Sequence, residues 1–262
     1  MSILKVDLAV VGAGPAGLSA AALAAHHGLR TVVLDEYLTP GGRLLGQLHE
    51  ERQVGGAAVW WKGMEVAACL TAEVEDAGGQ LMSGVQVWGL EPGWRLHLHG
   101  GACESVSARA VVLATGACER PLPVPGWTLP GVLTVGAAQV FANVHRVRPG
   151  NRVVLCGVNA LSLTVARELV MAGAEVAGIA LPPAGPLAAE QAVPRAVIAT
   201  LGRMAHLAPT PFLRLAGRLF PGAAGARLGA RLYPRSGIRV WGVPLLLRQA
   251  LTRITGDETV TG

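Results

Sequence analysis

The first part of the chain contains two apolar runs. An alanine-rich segment lies between them, and glycines separate it from each run. The apolar runs at 6–11 and 30–35 have the length and character of buried strands. Between them, an alanine-rich helix is predicted to run to about His27 and to stop at Gly28. This pattern predicts a strand–turn–helix–strand unit, which is the start of a parallel α/β sheet.

Further along, the pattern predicts a helix from about Ala57 to Ala77, with Trp60 and Trp61 as packing residues. Shorter alternating runs follow. They predict three antiparallel strands and one closing apolar strand, at Val85–Leu90, Trp94–His99, 105–109 and Ala110–Gly116. The first three would form a meander.

The same strand–turn–helix–strand pattern returns after Pro149 and Gly150. It predicts a strand at 151–156, a helix to about Met171 and a strand from Glu175 to Leu181. We therefore expect an α/β protein with two Rossmann-like units built on parallel sheets, the first carrying a three-stranded β-meander. The expected division is a first unit at 1–122, a connecting segment at 123–149 and a second unit at 150–262.

The turn after the first strand has the spacing Gly-x-Gly-x-x-Gly, typical of dinucleotide binding. The first glycine permits a tight turn, the second lets a pyrophosphate approach the backbone, and the third lets the helix pack close to the strand. Free N–H groups at the helix start would then hold the phosphate charge. The candidate residues of this turn are Gly12, Gly14, Pro15, Ala16 and Gly17.

An acidic residue at the end of the second strand is the expected partner of a ribose hydroxyl. Asp35 is in register for that role, and Glu36 is the alternative. The next turn, Pro40 to Arg43, is placed to approach the same cofactor, which makes Gly42 and Arg43 further candidates.

Two later segments, Ala114–Pro121 and Pro125–Val132, resemble the two-dinucleotide flavoprotein oxidoreductases of the pyridine nucleotide-disulphide type. They look like the flavoprotein subunits of opine oxidases, hydrogen cyanide synthase and dye-linked proline dehydrogenases, and sarcosine oxidase alpha subunits are similar. The resemblance implies FAD at the first turn, with Ala114, Thr115 and Gly116 near the flavin. It also implies oxidation of a C–N bond in an amine or amino acid, with electrons passed to a partner.

The second glycine turn departs from the first at two of three positions. Asn159 replaces the middle glycine and Ser162 the third, and the strand ending at Leu181 carries no acid for a ribose. A side chain at the middle position obstructs a pyrophosphate. The sequence therefore favours a structural Rossmann-like unit over an NAD(P) site. It does not decide whether another nucleotide binds there.

Composition excludes several classes of protein. With 51% hydrophobic and 15% charged residues, the chain is not intrinsically disordered. The uncharged run from Leu8 to Ala25 contains the glycine turn, so we expect no transmembrane segment. The four cysteines form no Cys-x-x-Cys pair, which indicates neither a dithiol centre nor a metal site and suits the cytoplasm.

The net charge of +5 has a local origin. Residues 191–256 contain arginine as their only charged residue type, including Arg214 and Arg218 and the series Arg227, Arg231 and Arg235, each four apart. This spacing indicates either a solvated basic face or a docking surface for an acidic partner or an anionic membrane surface. No nucleic-acid motif accompanies the charge.

Flavoproteins that the chain resembles continue beyond its last residues, where Gly256-Asp257 and Thr259 to Gly262 suggest a hairpin. We therefore expect the closing part of the FAD domain, and with it the catalytic residues, to be missing. Three explanations for the missing part remain open: it is a separate polypeptide, the gene is truncated, or the chain is a non-catalytic binding or interaction module. In addition, we expect a protein partner or self-association. A further alternative is an NAD(P)H-dependent flavin reductase.

Overall fold

The computed structural model describes residues 2–52, 58–205, 211, 214–215, 222–257 and 260. They form two compact units, Met1–Cys118 and Glu119–Gly262. The strands of the first unit are β1 Ile3–Val11, β2 Thr31–Asp35, β3 Leu48–Arg52, β4 Ala58–Lys62, β5 Gln80–Ser83, β6 Gln86–Glu91, β7 Arg95–His99 and β8 Ser105–Leu113, and its helices are α1 Pro15–His26 and α2 Gly63–Asp76.

The second unit follows the same alternating plan. Its strands are β9 Arg152–Cys156, β10 Glu175–Leu181, β11 Ile238–Val240 and β12 Val243–Ala250, and its helices are α3 Val135–Asn143, α4 Ala160–Met171, α5 Pro194–Arg203 and α6 Gly222–Leu232. The expected α/β class with Rossmann-like units is thereby confirmed.

The first unit is built on one six-stranded sheet in the order β5-β2-β1-β8-β7-β6. Strand β1 pairs in parallel with both β2 and β8, so it lies at the centre of the parallel part. On one face Val10 and Val33 pack against Leu18 of α1, and all three side chains are fully buried. The other face of β1 and β2 packs with residues of β6, β7 and β8.

The meander is present, but its last strand differs from the expectation. The two separate strands predicted at 105–109 and 110–116 are one continuous strand, β8. Its first residues pair antiparallel with β7, while its whole length pairs in parallel with β1. Strand β8 ends at Leu113, so Ala114 to Gly116 form a turn beyond the sheet.

The helix predicted from Ala57 to Ala77 begins six residues later than expected. Residues 58–62 pair with β3 in an antiparallel hairpin, so Trp60 and Trp61 lie in a strand, and Ala57 lies outside the described residues. The helix begins at Gly63, whose backbone lies so close to Leu44 that a Cβ would collide with the Leu44 carbonyl oxygen. Glu65 then caps the helix by accepting a hydrogen bond from the backbone N–H of Lys62.

The second unit has a four-stranded sheet in the order β11-β12-β10-β9. Strands β9, β10 and β12 are parallel, and β11 joins β12 as an antiparallel hairpin. Helix α3, in the segment expected to connect the two units, is tied to α4 by a buried carboxylate. Glu168 accepts hydrogen bonds from the side-chain amides of Gln139 and Asn143, each at 2.9 Å.

The arginine-rich stretch is only partly helical. Arg227 and Arg231 lie on α6, whereas Arg235 follows Pro234 beyond the end of that helix. Arg218, Thr259 and Gly262 lie outside the described residues. Gly256 pairs with Val260 in an isolated antiparallel bridge. Among the described helices, none combines the length and apolar character that a membrane span requires.

A surface ion pair fixes the start of β2 to β1. Asp7 accepts hydrogen bonds from the backbone N–H and the guanidinium of Arg30, and Arg109 lies 3.6 Å from its other oxygen. These contacts, led by the Arg30 side chain, lower the pKa of the Asp7 carboxyl. A lowered carboxyl pKa stabilises the fold at neutral pH, and this contribution is lost as the pH falls through the lowered value.

We predict that Asp7→Asn lowers the denaturation midpoint more at neutral pH than in acid, because only the ionised carboxylate holds both arginines. The measurement is urea denaturation at about pH 7 and about pH 3. Glu104→Gln, which removes an exposed carboxylate with no side-chain partner among the residues that the structure describes, is the control. An equal loss of stability at both pH values would contradict the assigned role of the ion pair.

Candidate functional site: an open glycine turn

The first glycine turn is formed by close backbone contacts at the carboxyl end of β1. Gly12 has φ +104°, and a Cβ there would collide with the carbonyl oxygen of Ala114. A Cβ on Gly17 would collide with the carbonyl oxygen of Gly12 and lie 3.2 Å from the Ala114 side chain. Glycine at these two positions is therefore a packing requirement of the turn itself.

Gly14 differs, because a Cβ built there would meet no atom within 4 Å. Its backbone is extended, with φ −75°, a conformation that any residue adopts. The fold therefore does not demand glycine at this position. The open space in front of Gly14 is where a pyrophosphate approaches the backbone in dinucleotide-binding turns.

The start of α1 borders this open space. Gly14 is the N-cap residue, Pro15 occupies the first helical turn, and no side chain caps the helix. The backbone N–H groups of Ala16 and Gly17 belong to the helix end that has no intrahelical acceptors. Uncapped N–H groups and the positive end of the helix dipole favour an anion at this point.

The two acidic candidates at the end of β2 are used differently. One carboxylate oxygen of Asp35 accepts a hydrogen bond from the backbone N–H of Ala13, and the other accepts one from Tyr37 at 2.8 Å. Asp35 thus fixes the glycine turn to the end of β2. Glu36 is exposed. The sequence motif predicts a ribose partner at Asp35, but it does not predict that Asp35 also supports the turn.

The Pro40–Arg43 turn lies against the glycine turn, as expected. The N–H of Gly41 donates to the carbonyl of Ala13 at 2.8 Å, and a Cβ on Gly42 would lie 3.1 Å from the Cα of Gly14. Arg43 reaches across to donate to the carbonyl of Ala117 at 2.9 Å.

The turn after β8 completes this group of residues. Ala114 donates to the carbonyl of Val11 at 2.8 Å, which fixes the ends of β8 and β1 together. Thr115 and Gly116 are exposed, and Gly116 has φ +72° with open space around the position of a Cβ. The structure therefore brings all four sequence segments named as candidates to one edge of the sheet.

The second glycine turn starts like the first, but side chains cap the helix that follows it. Gly157 has φ +98° and donates to the carbonyl of Ala180 at 2.8 Å, as Gly12 does to Leu34. Asn159 then accepts a hydrogen bond from the N–H of Ser162 at 3.0 Å, and Ser162 accepts one from the N–H of Asn159 at 2.9 Å.

This reciprocal pair is a capping box, which satisfies two of the groups that a phosphate would otherwise use. The buried Ser162 also stands where the first turn has Gly17. The chemistry of the second turn therefore does not match that of a pyrophosphate cradle, whereas the first turn leaves its helix end open.

Neither thiol nor metal chemistry has a centre among the residues that the structure describes. The cysteines Cys69, Cys103, Cys118 and Cys156 are all free thiols, and burial raises the pKa of the Cys156 thiol. Within the described ranges, no three His, Cys, Asp or Glu side chains are grouped as metal ligands. His97 instead lies beside the ring of Trp88 and 3.0 Å from a Glu91 oxygen.

The fold and the open first turn together define a dinucleotide-binding α/β protein. The chain belongs to the pyridine nucleotide-disulphide oxidoreductase family, whose model matches residues 6–192. This membership confirms the expected family and FAD as its cofactor. The open space at Gly14 fits that cofactor's pyrophosphate.

Comparison with known proteins confirms the expected resemblance. The chain is 41% identical over 179 residues to an opine oxidase subunit of Agrobacterium tumefaciens (strain Ach5), a match covering 64% of this chain and 35% of the relative. L-proline dehydrogenase from P. horikoshii is 25% identical with a TM-score of 0.56, covering 70% of this chain and 37% of that one.

Thioredoxin reductase from T. acidophilum shares the fold over 98% of this chain and 69% of its own, with a TM-score of 0.59 and 20% identity. The likeness to thioredoxin reductase concerns the fold alone, since this chain has no Cys-x-x-Cys pair. The chain spans about a third of the length of the opine oxidase and proline dehydrogenase chains that it matches.

We predict that Gly14→Ala weakens FAD binding by roughly tenfold or more while the fold is retained, because the methyl group occupies the open space at the turn. Gly17→Ala should instead cost about 1–3 kcal/mol of stability, because its methyl group collides with the Gly12 backbone. Fluorescence titration with FAD and thermal unfolding measure the two effects.

The matched control is Gly185→Ala, an exposed glycine whose Cβ also meets no atom within 4 Å. It should leave both measurements unchanged. Undiminished FAD affinity in a folded Gly14→Ala variant would show that the cofactor does not use this turn.

Proposed function

We propose that this chain is the FAD-binding flavoprotein component of an oxidoreductase that oxidises a C–N bond of an amine or amino acid and passes the electrons to a partner. The observation that carries the proposal is the open glycine turn, in which the fold requires glycine at positions 12 and 17 but not at position 14. The substrate class is supported by the relatives, which are named as an opine oxidase and an L-proline dehydrogenase.

In this proposal the pyrophosphate of FAD lies before Gly14 and accepts hydrogen bonds from the N–H groups of Ala16 and Gly17. Asp35, or the neighbouring Glu36, accepts a hydrogen bond from the ribose, because each Asp35 oxygen accepts one backbone hydrogen bond around the turn and keeps a further acceptor position. The exposed carboxylate of Glu36 immediately follows Asp35 and keeps its oxygens available to hydroxyl donors.

On the flavin side, Gly42 lets the chain pass close to Gly14, and Arg43 holds the segment after β8 through the Ala117 carbonyl. Ala114, Thr115 and Gly116 then border the flavin. FAD, when bound, supplies the acceptor for the two electrons removed from the C–N bond. The protein's task is to fix that acceptor and to leave one face accessible to substrate.

The second unit is assigned a structural role in this proposal. Its helix α4 is capped by Asn159 and Ser162, and β10 ends at Leu181 without an acid for a ribose. Electrons therefore come from the amine substrate and not from NAD(P)H. In this proposal a protein partner takes up the electrons, in the cytoplasm, where the four free thiols are stable.

The test is anaerobic titration of the FAD-loaded chain, followed by the absorbance of the flavin. We expect bleaching by an opine or by L-proline, recovery on addition of a dye acceptor, and no bleaching by NADH or NADPH. The Gly14→Ala variant under identical conditions is the control for free flavin. Bleaching by NADPH, with none by any amine or amino acid, would overturn the proposal in favour of a flavin reductase.

A further inference from the structure

Helix α6 of the second unit turns its two leucines toward solvent. Leu228 is 50% exposed and Leu232 is 67% exposed, and their spacing of four places them on one side of the helix. They are the only large apolar residues in the sequence of α6. A surface helix ordinarily buries such residues and exposes its polar ones. The leucines of α6 therefore depart from the pattern that folding alone favours.

The contact of α6 with the rest of the second unit is made by small residues. Ala226 is only 2% exposed, and a Cβ on Gly229 would lie 3.4 Å from the side chain of Ile198 in α5. Alanine and glycine at these positions let the two helices approach closely. The packing of α6 against α5 thus does not use Leu228 or Leu232, which leaves both available for an external contact.

Two arginines form a second stripe beside the leucines. Arg227 and Arg231 are exposed, lie four residues apart and each directly precede a leucine. No acidic residue occurs between 191 and 256. In the part of the chain that the structure describes, neither arginine has an ion pair or a side-chain hydrogen bond. The exposed side of α6 therefore combines uncompensated positive charge with apolar side chains.

An anionic lipid surface has the chemistry that matches this combination. In helices that lie in a membrane interface, basic side chains contact the phosphate headgroups and apolar ones enter the boundary with the acyl chains. Helix α6 is about 16 Å long, and no described helix could cross a membrane, so the contact would be superficial.

The sign of the charge favours a lipid surface over a protein partner. Arginine is the only charged residue type throughout 191–256, so this stretch matches a surface that is anionic over a wide area. Protein surfaces generally intersperse charges of both signs. The exposed leucines agree with this choice, because an acidic partner that recognised charge alone would not require them.

We propose that the exposed side of α6 binds an anionic phospholipid surface, with Leu228 and Leu232 entering the interface and Arg227 and Arg231 contacting the headgroups. The proposal does not depend on the proposed FAD function, because this surface shares no residue with the first glycine turn. An acidic protein is the other class of partner that the charge would admit, and the test distinguishes it.

The test is sedimentation of the FAD-loaded chain with vesicles. One set contains phosphatidylcholine and phosphatidylglycerol in equal parts, and the other contains phosphatidylcholine alone. We expect the chain to sediment with the mixed vesicles and to be released by salt, since the attraction to anionic lipid is screened.

Two variants separate the contributions of the two stripes. Leu228→Ser/Leu232→Ser leaves the charge unchanged and should weaken vesicle binding by roughly tenfold, because it removes the apolar part of the contact. Arg227→Gln/Arg231→Gln should also weaken it by roughly tenfold. Circular dichroism and FAD titration, which neither variant should change, establish that both are folded.

The matched controls alter equally exposed residues elsewhere. Leu23→Ser/Leu29→Ser removes two leucines of the first unit that are 62% and 43% exposed. Arg195→Gln/Arg203→Gln removes the same charge from the exposed positions of α5. Each control should change vesicle binding by no more than about threefold.

Three outcomes overturn the proposal. The first is an absence of binding to the mixed vesicles. The second is a loss in the controls equal to that in the α6 variants, which would reflect net charge or general surface hydrophobicity. The third is vesicle binding that Leu228→Ser/Leu232→Ser leaves intact. Binding to poly-L-glutamate in place of the vesicles would assign the surface to an acidic protein.

Discussion

The contact between the Gly12–Gly17 turn and the end of β8 determines the form of the first unit's site. The Ala114 carbonyl oxygen lies where a Cβ of residue 12 would be, and the Gly12 carbonyl oxygen lies where a Cβ of residue 17 would be. These close contacts place the start of helix α1 directly at the sheet edge. Its first N–H groups then point outward without a cap. An uncapped helix start at the carboxyl edge of a parallel sheet is an anion site by its geometry and its dipole.

The two glycine turns of this chain start alike and differ in how the following helix is capped. Gly12 and Gly157 have nearly the same positive φ and the same hydrogen bond to the neighbouring strand. The first turn keeps its helix end open, whereas Asn159 and Ser162 satisfy the helix end of the second internally. The first turn is thus suited to hold a cofactor, whereas the second turn has no uncapped helix end to offer one.

Much of this architecture could be predicted from the sequence, because it rests on local periodicity and glycine spacing. Strands β1, β2, β9 and β10 and helices α1 and α4 lie within a few residues of their expected positions. The hairpin of β3 and β4 was missed, since Leu48–Arg52 contains three charged residues and one histidine and lacks apolar alternation. The late start of α2 follows from the pairing of residues 58–62 with β3, which no local pattern encodes.

The parts of the candidate site that were missed depend on contacts between distant residues. Asp35 is the expected partner of a ribose, and its hydrogen bond from Ala13, a pairing across 22 positions, adds a role in holding the turn that the sequence did not indicate. The buried hydrogen bond between Glu168 and Gln139 likewise joins separate elements. Sequence spacing identifies residues that share a strand or helix, whereas tertiary packing decides which of their polar groups remain available.

The most direct measurement of the central claim is a crystal structure of the chain grown with FAD. We expect density for the diphosphate in front of Gly14, within hydrogen-bonding distance of the N–H groups of Ala16 and Gly17. A structure in which FAD is bound elsewhere, or in which the chain's own atoms fill the space before Gly14, would contradict the account.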